Sequence, residues 1–296
     1  MKGRFVLMSL FFLSVSLSAA AVPVTILYTN DLHLHFERFA SLERLIDHER
    51  DARGTVLLLD AGDAWHDFRR PLAAVWGAAE MVSWMNRVGY DAMALGNHDL
   101  YWGAERLEAL VERAEFPILC ANLRPIPPVT APFVASTVLR TEGVSVLTIG
   151  LITSEFLPYS AYPWFRYHRP VPTLREEMGH FGEDYDLIVV VGHLPVTDAM
   201  RIAAMIPGID VFITGHSHQK TPIPVTVGET LVVQSGAFGK ALGRLVLEVD
   251  PATGRHRLIE HTLLPTEKAP TDIDQGLRQI FRVVLAIVAV LLLVLR

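Results

Sequence analysis

Short polar patches follow apolar, strand-like runs at five places along this chain of 296 residues. The runs are rich in Val, Ile and Leu, a composition typical of strands that are buried on both faces of a sheet. The patches are Asp31-Leu32-His33, Gly62-Asp63, Gly96-Asn97-His98-Asp99, Gly192-His193 and Gly215-His216-Ser217-His218. Five patches in the same setting constrain the fold, because it must bring several strand ends, and the polar groups beyond them, to one place.

Segments typical of strands and helices alternate through the first two-thirds of the chain. Strands are predicted at residues 24–28, 55–59, 92–95, 118–121, 144–151, 187–191 and 211–214. Helices are predicted at 39–50, 72–88, 104–114 and 197–205, whereas strands and turns alone follow His218, with a hairpin turn at 251–254. The alternation predicts one layered α/β domain, with β-sheet flanked by helices, between apolar N- and C-terminal segments.

The polar patches are expected to meet at one rim of the sheet, because ligands gather at the carboxyl ends of strands in open α/β folds. The candidate ligands are Asp31, His33, Asp63, Asn97, His193, His216 and His218. This mixture of imidazole, carboxylate and amide oxygen suits Zn, Mn, Fe or Co better than Ca or Mg. Two divalent ions close together need a shared negative ligand, and Asp63 is the predicted bridge because no acidic residue accompanies the later histidines.

As a set, the five patches resemble those of the calcineurin-like metallophosphoesterase superfamily. More narrowly, the segments from Tyr28 to His33 and from Gln234 to Leu245 resemble the catalytic domain of bacterial 5′-nucleotidases and 2′,3′-cyclic phosphodiesterases. The resemblance extends over residues 24–250. It implies a metallophosphoesterase fold and hydrolysis of phosphate esters by water activated between two divalent ions.

The resemblance also implies a role for each polar position. It assigns Asp31, His33, Asp63 and His218 to one metal ion, and Asp63, Asn97, His193 and His216 to the other. His98 is then not a ligand: it would face the substrate and either stabilise the phosphoryl oxygens or protonate the leaving alkoxide. Asp99 would orient the imidazole of His98.

Three functions are compatible with this site. The leading one is 5′-nucleotidase-like hydrolysis of small phosphate monoesters, with nucleotides among the candidate substrates. A second is a phosphodiesterase or a sulfur-ester hydrolase using the same site, and a third is a non-catalytic metal-binding module. Nucleotidases of this type usually hold the nucleoside in a second, C-terminal domain, whereas this chain passes from about Leu264 to an apolar tail, so the resemblance does not imply nucleotide specificity.

The two ends of the chain predict export and membrane attachment. A basic start, an apolar run at 5–17 and small residues up to Ala21 are typical of a secretory signal peptide at 1–21, and the alternative is an uncleaved anchor. A catalytic domain at 22–265 and a linker at 266–279 precede an apolar segment at 280–296. That segment is predicted to be a membrane anchor, with an amphipathic or packed terminal helix as the alternative. The protein is therefore expected to be periplasmic or at the cell surface.

Several other positions carry weaker signals. The formal charge of −6, without a long basic cluster, gives no reason to expect a nucleic-acid polymer as partner. His66 and Asp67 are predicted to lie in a solvated loop, and the single Cys120 is predicted to be buried. His35 is predicted to be a surface group or to lie behind the ligands, rather than to be a ligand itself. The aromatic-rich segment 156–168 is predicted to pack over the sheet, and the alternative is an aromatic wall that stacks on a substrate ring.

Overall fold

The computed structural model describes residues 21–158, 161–182, 185–251 and 253–269. Its strands are β1 Val22–Thr29, β2 Val56–Asp60, β3 Ala92–Ala94, β4 Ile118–Leu119, β5 Leu123–Pro125, β6 Ser136–Thr141, β7 Val144–Ile152, β8 Phe165–Tyr167, β9 Leu187–His193, β10 Val211–Thr214, β11 Val225–Val227, β12 Thr230–Val233, β13 Ala241–Asp250 and β14 Arg255–Pro265. Its α-helices are α1 Phe39–Arg53, α2 Pro71–Val88, α3 Ala104–Arg113, α4 Pro170–Phe181 and α5 Val196–Met205. Short 3-10 turns lie at Phe36–Arg38 and His98–Leu100.

Twelve of the strands form two six-stranded sheets that pack face to face, and β5 and β8 form a separate two-stranded sheet. The first sheet has the spatial order β14-β13-β1-β2-β3-β4 and the second has the order β11-β12-β10-β9-β7-β6. The central strands of each sheet run parallel, whereas β13 and β14 in the first sheet, and β6 and β11 in the second, run antiparallel to their neighbours. One apolar core, containing for example Ile26, Leu59, Val189 and Ile213, lies between the sheets.

Helices cover the outer faces of both sheets. Residues of α1, α2 and α3 such as Leu42, Met81 and Leu107 form a second core against the first sheet. A third core, which includes Leu174 of α4 and Ile202 of α5, covers the second sheet. The result is a four-layer helix–sheet–sheet–helix domain, which confirms the predicted α/β class with sheets flanked by helices.

The structure corrects the sequence-based layout in two places. The strand ends belong to two sheets rather than to one rim of a single sheet, because Val- and Ile-rich runs show that a strand is buried but not which sheet it joins. Helix α4 was not predicted. Its first turn contains Pro170 and Pro172, and prolines are common at the start of a helix although in a sequence they also indicate a loop. The predicted hairpin is confirmed, since Asp250 O accepts a hydrogen bond from Gly254 N at 2.9 Å and β13 pairs with β14.

The structure describes only small parts of the predicted terminal segments. Within the ranges that the structure describes, no helix is long and apolar enough to cross a membrane. Residues 1–20 of the predicted signal peptide and the predicted anchor at 280–296 lie outside those ranges. The first residues of the predicted linker hydrogen-bond to the domain: Arg38 donates to Thr266 O at 2.9 Å, and Ala269 N donates to Glu37 O at 2.8 Å.

A substitution at Gly243 would test how tightly the first sheet is packed. It lies opposite Tyr28 on the neighbouring strand, and a Cβ at this position would collide with the Tyr28 ring. The Gly243→Ala variant is expected to lose about 1–3 kcal/mol of unfolding free energy, because an overpacked core must shift to accept the methyl group. Urea denaturation measures this loss. Gly179→Ala, on an open face of α4, is the control and should not destabilise the protein.

Candidate metal centre

The predicted ligands lie together where strands of both sheets end. Asp31 and His33 follow β1, and Asp63 follows β2 in the first sheet; His193 is the last residue of β9 in the second. Three groups of side chains have their ligand atoms within 4.8 Å of one another. The groups are Asp31, His33 and His218; Asp63, His193 and His216; and His33, Asp63 and His98. Shared members link the three groups into one cluster.

The backbone at this cluster is in an unusual conformation. Positive φ angles between 48° and 67° occur at Asp31, His33, Asp63, His216 and His218. Non-glycine residues avoid this left-handed region, and such strain is found where surrounding contacts impose it, commonly at functional sites. The contacts here include backbone hydrogen bonds from Asp31 N to Gly62 O at 2.9 Å and from His33 N to Asp63 O at 3.0 Å.

Asp63 occupies the middle of the cluster. Its Oδ2 lies 3.1 Å from His193 Nε2, 3.8 Å from His33 Nε2 and 4.0 Å from His98 Nε2. Its Oδ1 accepts a hydrogen bond of 2.8 Å from His98 N. Burial by itself would raise the pKa of the Asp63 carboxyl, but the charge of His193 lowers it to about 2. Asp63 therefore presents a full negative charge to both halves of the cluster.

Asp31 is the carboxylate of the first half. It is fully buried, and its Oδ1 lies 3.2 Å from His218 Nε2 and 3.7 Å from His33 Nε2. His216 N donates to Oδ2 of the same carboxylate at 3.0 Å. Burial would raise the pKa of Asp31, but hydrogen bonds to His218 and His33 hold it below its ordinary value. Among the described residues, all the ion pairs of Asp31 and Asp63 are with histidines.

Two buried imidazoles are oriented to offer a lone pair to a cation. His33 Nδ1 lies 2.8 Å from His66 O, and His193 Nδ1 lies 2.8 Å from Ala61 O. A carbonyl only accepts hydrogen bonds, so Nδ1 carries a proton. Burial lowers the pKa of both rings, but the nearby carboxylates raise it further, to about 9 for His33 and about 10 for His193, and a bound cation would take the place of the second proton, on Nε2. In the described structure, Nε2 of both rings is buried and directed at Asp63 Oδ2, at 3.1 Å from His193 and 3.8 Å from His33. Buried imidazole nitrogens that are aimed at a shared carboxylate are a donor arrangement that suits a divalent ion.

His216 is held by groups from two other loops. Its Nδ1 lies 3.0 Å from Asn97 Oδ1, and its Nε2 lies 3.2 Å from Glu155 Oε2. Glu155 was not predicted, although it follows the end of β7 at Ile152 just as the ligand candidates follow their own strands. A carboxylate on the second nitrogen of a metal-binding imidazole fixes its ring and increases its basicity.

His98 and Asp99 differ from their predicted arrangement. The His98 side chain is 17% exposed, and its Nδ1 has no hydrogen-bond partner in the described structure. The Asp99 carboxylate instead accepts hydrogen bonds from Asp63 N and Gly96 N at 2.9 Å and from Trp65 N at 3.2 Å. In the described structure the Asp99 carboxylate therefore accepts no hydrogen bond from the His98 imidazole, which it was predicted to orient, because consecutive side chains of a 3-10 turn point in different directions. Asp99 fixes the loops that carry Asp63 and His98.

The prediction that His66 and Asp67 are solvated is wrong. Their side chains are buried, with exposed fractions of 4% and 1%. The His66 ring stacks on Tyr101 at 4.9 Å, and the Asp67 carboxylate accepts a hydrogen bond from Arg69 Nε at 2.9 Å. Local polarity could not reveal this burial, which depends on a ring that lies 35 residues later in the chain.

The remaining weak signals have mixed outcomes. Cys120 is buried and unpaired, as predicted, and His35 is partly exposed beside Glu37, with 2.9 Å between Nδ1 and Oε1. In the aromatic segment, Phe165 is buried against Phe133 at 5.4 Å, which fits the packing interpretation. Phe156 does not fit it, since its side chain is 77% exposed and its ring lies 6.0 Å from that of His216.

A substitution at Gly96 would test whether the position of Asp63 determines metal binding. A Cβ at this position would collide with the carboxylate and the backbone nitrogen of Asp63. Gly96→Ala should therefore displace Asp63 and weaken metal binding about 10- to 100-fold, the usual cost of disturbing the support of a metal ligand. Equilibrium dialysis with Mn or Zn measures the affinity, and circular dichroism shows whether the variant folds. Unchanged affinity in a folded variant would contradict the central position of Asp63.

Comparisons with known proteins agree with this geometry. The calcineurin-like phosphoesterase family matches residues 24–220. Human 5′-nucleotidase is 32% identical over 276 residues, which cover 79% of this chain and 48% of that protein. The chain thus spans about half the length of the curated relatives it matches.

Solved structures have the same fold. The NAD nucleotidase of Haemophilus influenzae superposes with a TM-score of 0.74 at 19% identity, covering 84% of this chain and 51% of that one. A 5′-nucleotidase precursor from Thermus thermophilus has a TM-score of 0.72 at 25% identity, covering 90% of this chain and 59% of that one. The match to the family over most of the described domain, together with the clustered ligand candidates, establishes that this chain belongs to the calcineurin-like phosphoesterases, hydrolases that act on phosphate esters.

Proposed function

We propose that this chain hydrolyses small phosphate monoesters, nucleoside 5′-monophosphates among them, at a centre of two divalent ions. The observation that carries the proposal is the position of the buried Asp63 carboxylate between imidazoles of both sheets, with Nε2 of His33 and His193 directed at it. Burial of two carboxylates among these imidazoles is costly unless their charge is balanced, and bound cations would supply that balance.

The donor set divides into two halves that share Asp63. Asp31, His33 and His218 would bind one ion, and Asn97, His193 and His216 would bind the other, with Zn, Mn, Fe or Co as candidates. When bound, the ions supply an activated water and neutralise the charge of the phosphoryl oxygens. Asp60 and Asp99 lie behind this set and hold its loops by accepting backbone hydrogen bonds, such as Gly62 N to Asp60 Oδ1 at 2.8 Å.

His98 is the proposed residue that acts on the substrate itself. Its backbone nitrogen is fixed on Asp63 Oδ1, while its partly exposed imidazole faces the mouth of the cluster. From there the ring can donate a hydrogen bond to a phosphoryl oxygen or a proton to the leaving oxygen. Burial, the largest effect on this group, lowers the pKa of His98 to about 4 in the protein alone. A phosphate dianion beside the ring favours the protonated form that can donate.

The activity is tested with matched esters. Purified chain is assayed with an aryl phosphate, an aryl phosphodiester, an aryl sulfate and several nucleotides, with Mn or Zn added and again after chelation. Turnover of monoesters that disappears with chelator and returns with metal supports the proposal. Preferred turnover of the diester or of the sulfur ester would replace it by one of the other hydrolase functions, and two bound ions without turnover of any ester would indicate a binding role.

We further propose that the domain acts outside the cytoplasm, attached to a membrane through residues 280–296. The basic and apolar start of the chain and its apolar end support this proposal. Membrane fractionation tests it: the protein should remain with membranes in high salt and enter solution with detergent. Release by salt alone would exclude a spanning anchor.

A further inference from the structure

Four large aromatic side chains are exposed around the mouth of the metal cluster. Their exposed fractions are 57% for Phe68, 52% for Trp102, 77% for Phe156 and 39% for Trp164. They come from three separate loops, which follow β2, β3 and β7. Scattered exposed aromatic residues need no explanation, but exposed rings gathered at the opening of a polar cluster are typical of a binding site.

Phe68 has the most informative position. One face of its ring stacks on the His98 imidazole, with 5.2 Å between the centroids and 17° between the planes. Because more than half of the Phe68 side chain is exposed, the other side of the ring is available to a ligand. His98 Nε2 in turn lies 4.0 Å from Asp63 Oδ2, so only the His98 side chain lies between Phe68 and the proposed bridging carboxylate.

The neighbouring rings extend this aromatic surface. Trp102 makes an edge contact of 5.5 Å with His66, whose own ring lies 5.9 Å from His98. Trp164 lies beside the loop that carries Trp102, since its indole nitrogen is 3.9 Å from the position that a Cβ on Gly103 would occupy. Phe156 lies on the other side of the cluster, next to His216. The surface formed by Phe68, Trp102 and Trp164 is therefore on the His98 side.

We propose that Phe68 is the base-stacking element of a leaving-group subsite, which selects phosphate monoesters whose alcohol carries a planar ring, such as nucleoside 5′-monophosphates. The inference rests on the proposed function. If His98 serves the ester oxygen, the alcohol must extend past the imidazole, and the next group that it meets is the open side of Phe68. A planar base offers that ring a stacking partner, whereas a bare sugar does not.

The decisive comparison uses two substrates with the same leaving alkoxide. Adenosine 5′-monophosphate and ribose 5-phosphate differ in the base and share the ester bond that breaks. Stacking of one base on one ring is worth about 5- to 150-fold in kcat/KM, or roughly 1–3 kcal/mol. The full chain should prefer the nucleotide by a factor in this range. Phe68→Leu should bring the ratio of the two kcat/KM values towards one, and Phe68→Tyr, which keeps the ring, should restore it.

A control variant and a binding measurement separate stacking from other effects. Trp76→Leu removes another exposed ring, 46% exposed and stacked on Phe36, and should leave the ratio unchanged. Saturation-transfer NMR with adenosine, which has no phosphate to hydrolyse, should show contacts to the base protons that weaken in Phe68→Leu. This second measurement does not depend on turnover.

The outcomes are distinct. Equal kcat/KM for the two substrates in the unchanged chain would overturn the subsite while leaving the phosphatase function intact. An equal loss on both substrates in Phe68→Leu would also overturn it and assign Phe68 to the support of His98. If no phosphate ester is turned over, the proposed function fails, and the adenosine spectra alone decide whether Phe68 binds a base.

Discussion

Asp63→Asn is expected to lower kcat/KM for phosphate monoesters by about 10³-fold or more and to reduce bound metal to less than two ions per chain. Asparagine keeps the size of the side chain and the Oδ1 acceptor for His98 N, which is 2.8 Å away in the structure. It removes the one negative charge that both halves of the cluster share, and without that charge two divalent ions repel each other at short range. Elemental analysis of the purified variant and steady-state kinetics measure both effects.

The matched control for this substitution is Asp198→Asn on α5. Asp198 is partly exposed and pairs with Arg201 at 2.8 Å, so the same chemical change at this position should leave metal content and kcat/KM within about twofold. Asp63→Asn protein that keeps two ions and full activity would show that Asp63 is not the bridge. An unfolded Asp63→Asn protein would be recognised by circular dichroism, and Asp63→Glu, which keeps the charge but moves it, would then provide the test.

The candidate site could be predicted from the sequence to the extent that its geometry follows from strand ends. Asp31, Asp63 and His193 each follow or end a run of buried aliphatic residues, and parallel strands bring their carboxyl ends together. The position of such residues in the site can therefore be predicted from the strand-like segment that precedes them. The division of these strands between two sheets could not be predicted, since a strand that is buried on both faces has the same composition in either sheet.

The errors concern contacts that join distant parts of the chain. Asp99 was assigned to the imidazole beside it, but its carboxylate binds backbone nitrogens of Asp63 and Trp65, more than 30 residues earlier. His66 was predicted to be solvated because it lies in the loop just after Asp63, but its ring is covered by Tyr101. Such pairings depend on how loops pack above the sheets, and no local pattern of residues encodes them.

His98→Ala is expected to lower kcat by about 10²- to 10⁴-fold, the usual contribution of a positioned acid or hydrogen-bond donor, without loss of bound metal. The imidazole is absent from both proposed ligand sets, and its removal leaves Asp63, Asp31 and the other five proposed ligands in place. Steady-state kinetics beside elemental analysis check the prediction. His180→Ala, at an exposed position of α4, is the control and should be without effect. Loss of metal together with activity would instead make His98 a ligand.

The size of this loss on different esters separates the two chemical roles that the position of His98 allows. If the imidazole protonates the leaving oxygen, His98→Ala should be far more damaging with an alkyl phosphate than with 4-nitrophenyl phosphate, whose leaving group needs no proton. If the imidazole stabilises the phosphoryl oxygens, the loss should be similar for both esters, since the charge on those oxygens develops with either leaving group. The distance of 4.0 Å between His98 Nε2 and Asp63 Oδ2 leaves the ring close enough to the reacting phosphate for either role.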